Sequence, residues 1–181
     1  IDQQLQVLAT LAEQNPGNAN IRVVYGKKLL GSGRSEQAIP VLKAAADSGT
    51  ADWRILSALG SAYDQQGQYG AARETYQKAL ALQPNQISVL NNMGMSHALE
   101  GNLKEAEGTL RSAMALPEGK SLPRLRQNLA LVVGLQGRFE ESRQIASEDL
   151  PPNEVEANMA YLQKMLSQPN TWQQLSGDTQ G

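Results

Sequence analysis

The sequence predicts an all-α fold built from repeated helix–turn–helix units, and three observations carry that prediction. Composition favours helix: 24 Leu, 22 Ala and 19 Gln stand against 8 Val and 6 Ile. Leu, Ala and Gln are good helix formers, whereas β-branched residues favour strands. Aromatic residues make up only 4% of the 181, which is thin for one thick core and suits many small helix–helix contacts. The chain also repeats itself. Gly26, Gly60 and Gly94 are spaced by 34 residues, and each is followed at fixed offsets by Gly33, Gly67 and Gly101, by Ala38, Ala72 and Ala106, and by Ala45, Ala79 and Ala113. A period of this length marks a stacked array of helical hairpins.

The elements follow in order. Residues 3–14, closed by Pro16, read as the second helix of a truncated unit, so residues 1–18 stand apart. Four units follow over 19–156 (19–52, 53–86, 87–122 and 123–156), each a helix A, a short turn and a helix B. The first glycine of each unit falls mid-helix, where it is unfavourable by roughly 1 kcal/mol against alanine. The expected return is close approach of a neighbouring helix backbone. The second glycine suits a left-handed helix C-terminus, and the alanines let helix B pack closely on helix A. In the fourth unit the pattern weakens to Leu129, Ala130, Val133, Gly137, Phe139, Ser142 and Ala146. Gly137 lies 36 residues after Gly101, which places a two-residue insertion near residues 117–122. Pro40 falls early in the first helix B. If Ser35 caps that helix, Pro40 removes an early backbone bond and bends it; the other reading is that the first turn tolerates it. Residues 153–166, after Pro151-Pro152, read as a terminal helix covering the last apolar face. The remainder of residues 157–181 reads as the end of that helix and a fraying tail.

These residues resemble the tetratricopeptide repeat (TPR). The second unit carries Leu56, Leu59, Gly60, Tyr63, Ala72, Tyr76, Ala79 and Pro84 at the signature positions. The third carries Leu90, Met93, Gly94, His97, Ala106, Leu110 and Ala113, and the first Tyr25, Gly26, Leu29, Ala38, Leu42 and Ala45. The resemblance implies a right-handed superhelical solenoid of about four repeats with extra capping helices. It also implies a concave groove lined by helix-A positions 2, 5, 9, 12 and 13. Mapped here, the groove candidates are Lys27, Arg54, Ser57, Ser61, Asn91, Met95, Leu99, Arg124, Gln127, Leu131 and Leu135, with Ala98 and Gly134 at further such positions. The groove should be polar around the second unit and apolar from Met95 to Leu135, a dock for a peptide or an amphipathic helix. The competing reading is that the terminal helix, or the tail around Trp172, fills the apolar strip. The carboxylate clamp of chaperone-binding repeats is not matched, since Ser57 and Ser61 stand where Lys and Asn are needed.

No catalytic constellation emerges, and the chain reads as a non-enzyme without cofactor or metal. There is no cysteine, hence no disulfide, thiolate metal site or thiol nucleophile. His97, the single histidine, occupies the slot of Tyr63 and reads as a core residue. Glu140, Glu141, Glu148, Asp149, Glu154 and Glu156 fall on several helix faces and read as a solvated surface. The five methionines read as core filler. A net charge of −2 argues against a polyanion partner. The longest uncharged apolar run, Leu129 to Leu135, falls far short of the ~20 residues that cross a bilayer.

Residues 124–175 are less generic. The strings QNLALVVGLQGRFEE, DLPP and MAYLQKML are similar to the tight-adherence (TadD) lipoproteins of Flp pilus assembly. That resemblance implies an envelope protein on the periplasmic side of the outer membrane, anchored by a lipid on a cysteine upstream of Ile1. It also implies a pilotin-like role towards a secretin or another pilus-machine component. Ile1 is not an initiator methionine, so a targeting segment is expected upstream. The alternative is a cytoplasmic TPR adaptor or chaperone unrelated to pili, and a lipobox cysteine upstream would decide between them.

Overall fold

The turn glycines set the geometry of the chain. In the computed structural model, which describes residues 2–49 and 52–168, Gly33, Gly67, Gly101 and Gly137 have φ of 73°, 71°, 94° and 85°. At each, a helix A ends in the same way. The amide after the glycine reaches back five residues, with Arg34 N to Leu29 O at 2.8 Å, Gln68 N to Tyr63 O at 2.9 Å, Asn102 N to His97 O at 2.9 Å and Arg138 N to Val133 O at 3.4 Å. This closure satisfies carbonyls that the helix end would otherwise leave open, and its left-handed residue favours glycine.

Ten α-helices and no strand lie among the described residues. They are α1 (Gln3–Gln14), α2 (Ala19–Gly31), α3 (Ser35–Asp47), α4 (Trp53–Gln65), α5 (Tyr69–Leu82), α6 (Ile87–Leu99), α7 (Leu103–Met114), α8 (Pro123–Leu135), α9 (Phe139–Ala146) and α10 (Pro152–Ser167). The all-helical prediction and its pairing of A and B helices hold. The insertion before α8 forms a short 3-10 turn, Gly119–Ser121. Pro123 and Pro152 each occupy the first position of their helix, where the missing N–H is no loss. Asn18 caps α2 by accepting from Asn20 N and Ile21 N, and Asp52 caps α4 by accepting from Arg54 N.

The chain divides into two compact units, Ile1–Val89 and Leu90–Gly181. In the first, Leu5, Leu29, Ala38, Leu42, Leu59 and Ala62 form one apolar core. The mid-helix glycines have a different cause from the one expected. A Cβ on Gly26 would stand 2.5 Å from Leu42 Cδ2, and one on Gly60 2.5 Å from Tyr76 Cε1. A helix-B side chain lies across the glycine, rather than a helix backbone. The first helix B also departs from expectation. Arg34, not Ser35, is its N-cap, and Pro40 lies inside the helix. Ser35 is buried instead, and its Oγ accepts from Gln66 Nε2 at 2.6 Å, tying the turn of the first repeat to that of the second.

In the second unit the same rule continues at Gly94, where a Cβ would stand 2.8 Å from Leu110 Cγ. The insertion is held by Arg126. Its guanidinium donates to both oxygens of Asp149, at 2.6 and 2.8 Å, and to Lys120 O at 2.5 Å. Arg126 also pairs with Glu148 at 3.2 Å. Two further pairings join helices. Arg111 and Arg138 each bond both Glu107 and Glu141, across α7, α9 and the turn between α8 and α9. Arg143 of α9 bonds Glu156 of α10 at 2.7 Å and Glu140 at 2.6 Å. The side chains of Glu140, Glu141, Glu148 and Glu156 remain exposed, as a solvated surface requires, and each also has an arginine partner; of these paired carboxylates only Asp149 is largely buried.

The terminal helix packs as expected. Val155, Met159 and Leu162 of α10 are buried with Ala130 and Ala146 of α8 and α9. The suggestion that the tail around Trp172 folds back falls outside the described residues.

Candidate functional site

The helix-A face of the first unit presents polar groups. Lys27 and Arg54 are exposed, while Ser57 and Ser61 are half-buried. The Arg54 guanidinium lies 5.8 Å from the centroid of the Trp53 ring, close enough for a cation–π contact. A broad open groove between α1 and α2 also takes in Lys27, with Val7, Leu8, Val24 and Lys28. Of these residues the ligand-facing repeat positions mark only Lys27.

The second unit presents the apolar strip. Leu99 is 53% exposed and Leu131 38%, with Met95 half-buried on the same helix-A register as Leu99. Asn128 donates through Nδ2 to Asn91 Oδ1 at 2.9 Å, so α6 and α8 meet through a carboxamide pair. Arg124 and Gln127 are exposed beside it.

The strip is shorter than expected. Leu135 packs against the α10 cluster. Ala98 and Gly134 are buried, and a Cβ on Gly134 would stand 2.6 Å from Leu162 Cδ1. For Leu135 and Gly134 the reason is that α10 lies over the end of α8, so the terminal helix fills part of the strip and leaves Leu131 open. It also adds a residue that the repeat register could not supply. Tyr161, 67% exposed on α10, borders a cavity shared with Gln127, Leu131 and Asn158.

Among the described residues, no group of three or more His, Asp or Glu could hold a metal ion. His97 is half-buried, and its carbonyl accepts the turn bond from Asn102. No described helix is long and apolar enough to cross a membrane.

The family model for the tetratricopeptide repeat matches residues 25–87. That segment carries tetratricopeptide repeats. A thermophilic TPR protein of Thermus thermophilus, TTC0263, superposes with a TM-score of 0.71 at 20% identity, covering 87% of this chain and 88% of that one. YrrB, described as a TPR protein with an unusual peptide-binding site, superposes with a TM-score of 0.63 at 14% identity, over 93% and 88% of the two chains. An uncharacterized protein of Sinorhizobium fredii, y4yS, is 29% identical over 104 residues, 58% of this chain. The match spans only 57% of that relative's length. The structural likenesses extend the TPR fold beyond residues 25–87.

Proposed function

We propose that the α6–α8 face of the second unit docks a partner peptide or helix. One observation carries this reading: Leu99 and Leu131 stand exposed, beside Met95 and the Asn91–Asn128 carboxamide pair. Exposed aliphatic side chains bordered by uncharged hydrogen-bonding groups suit an apolar anchor and a peptide main chain. Replacing Met95 or Leu131 by Asp should weaken partner binding at least tenfold while helical circular dichroism is retained. Unchanged binding by both variants would remove this face from consideration.

The finer reading is that the partner belongs to a Flp-type pilus assembly machine, a secretin being the first candidate, with the protein held at the periplasmic side of the outer membrane by a lipid. The resemblance of residues 124–175 to the tight-adherence lipoproteins supports it. Affinity capture from an envelope extract tests it. Enrichment of a secretin or pilus component, lost with Met95→Asp, is the expected result. Recovery of cytosolic proteins alone would instead favour a cytoplasmic adaptor.

A further inference from the structure

The fourth repeat breaks the packing rule of the other three, and a cavity lies at the break. In the first three repeats a large helix-B side chain covers a helix-A glycine: Leu42 over Gly26, Tyr76 over Gly60 and Leu110 over Gly94. All three large side chains are fully buried. At the same offset the fourth repeat has Ala130 and Ala146. Helix A has gained one methyl group, while helix B has lost a leucine- or tyrosine-sized side chain. Met159 and Leu162 of α10 take up part of the space. About 280 Å³ stays open between α8, α9 and α10, far beyond the ~30 Å³ share of one water.

The lining specifies what fits. Leu131, Leu150, Met159 and Leu162 make it apolar, Gln127, Asn128 and Asn158 supply carboxamides, and no Lys, Arg, Asp or Glu among the described residues lines it. The Ser142 hydroxyl is already engaged, donating to Ala130 O at 2.6 Å. An ionised group entering here would lose its hydration without a counter-charge. An aliphatic group would gain contacts on three sides. Each carboxamide offers both a donor and an acceptor, the complement of a peptide main chain, and Asn91 holds that of Asn128.

The geometry points to a side-chain pocket that takes one leucine- or methionine-sized side chain of a partner peptide, whose main chain bonds the carboxamides of Gln127, Asn128 and Asn158. This deepens the docking reading above and rests on it. The degenerate repeat then shapes the floor of the pocket, where Ala130 and Ala146 lie packed under Met159 and Leu162, while Leu131 and Tyr161 border its mouth.

The test uses the whole chain labelled at its methionine methyl groups, with Met159 reporting the cavity and Met95 the α6 face. The probe is N-acetyl-leucine methylamide, with N-acetyl-glycine methylamide as the comparison. The leucine probe should shift the Met159 methyl signal saturably, and the glycine probe at equal concentration should not. Ala146→Leu, which restores the residue found in repeats one and three, should weaken that response at least tenfold. Ala146→Val provides a smaller filling should the leucine variant fold poorly. A silent Met159, an equal response to both probes, or a response indifferent to the filling variant would overturn the pocket. A shift at Met95 with Met159 silent overturns the pocket and leaves the docking face standing. Partner binding indifferent to Met95→Asp strikes the face itself.

Discussion

The ring of Tyr76 lies across Gly60, so that a Cβ added there would stand 2.5 Å from Cε1, 2.7 Å from Cδ1 and 2.9 Å from Cζ. The ring is 1% exposed and tethered at its far end, its hydroxyl donating to Asp64 Oδ2 at 2.8 Å. Burial first, and then the Asp64 charge and hydrogen bond, push the Tyr76 phenol well above its ordinary pKa, so it remains a donor through the physiological range. A ring held at both ends cannot give way. Gly60→Ala should therefore destabilise by about 1–3 kcal/mol, the usual cost of overpacking, despite the better helix propensity of alanine. Gly108→Ala, in α7 with nothing within 4 Å of its Cβ position, should stabilise by about 0.5–1 kcal/mol. Urea denaturation of the two variants measures the contrast, and equal signs would refute the steric account.

Gly119 is constrained more tightly, and by backbone. A Cβ there would stand 2.1 Å from Ala113 O and 2.9 Å from both Ala113 C and Met114 Cα. No side-chain rotation relieves such a contact, so the insertion before α8 must move as a whole. Gly119→Ala should cost more than Gly60→Ala, about 3 kcal/mol or more, and should disturb the Arg126–Lys120 bond. Amide exchange of residues 117–126 would report the disturbance, and native protection there would contradict it.

What the sequence made legible follows from how locally each feature is encoded. Gly33, Gly67, Gly101 and Gly137 mark the turns because a left-handed backbone is written in a single residue type. The partners of Gly26, Gly60 and Gly94 are encoded less directly. Leu42, Tyr76 and Leu110 recur with the same period, but a reading by small residues pairs backbone with backbone. The arginine pairs were hidden because Arg111 and Glu141, 30 residues apart, meet across helices, which spacing along one helix cannot show. Likewise Leu135 looked available in its repeat register, and only the seat of α10 on α8 covers it.

Acid should loosen the second unit through two carboxylates. Hydrogen bonds from Arg126 hold Asp149 below the ordinary range. Burial pushes Glu107 up, but hydrogen bonds from Gln136, Arg111 and Arg138 outweigh it and the net direction is down. A carboxylate depressed only in the folded state contributes fully above its unfolded pKa, about 4, and loses that contribution as pH falls through the folded value. Stability of residues 90–168 should thus decline below about pH 4. Arg126→Gln should flatten that decline and lower stability at neutral pH. Methyl signals of Met159 and Met165 followed from pH 7 to 2 would show it, and an unchanged slope in the variant would exclude Asp149 as a source.

Two glutamates in one charge network should differ sharply. The Glu107 side chain is 15% exposed, and that of Glu141 40%. Both bond Arg111 and Arg138, but Glu107 also accepts from Gln136 Nε2 at 2.9 Å. Removing Glu107 leaves two guanidinium groups and a carboxamide without their shared acceptor in a partly desolvated place. Glu107→Gln should cost about 1–3 kcal/mol, the range for a charged hydrogen bond. Removing Glu141 frees arginines that water can reach, and Glu141→Gln should cost less than about 1 kcal/mol. High salt should shrink the Glu141 effect more than the Glu107 effect, because screening acts mainly on exposed charges. Thermal denaturation of both variants at low salt and in 1 M NaCl makes the comparison, and equal losses at both positions would mean that burial does not order the network.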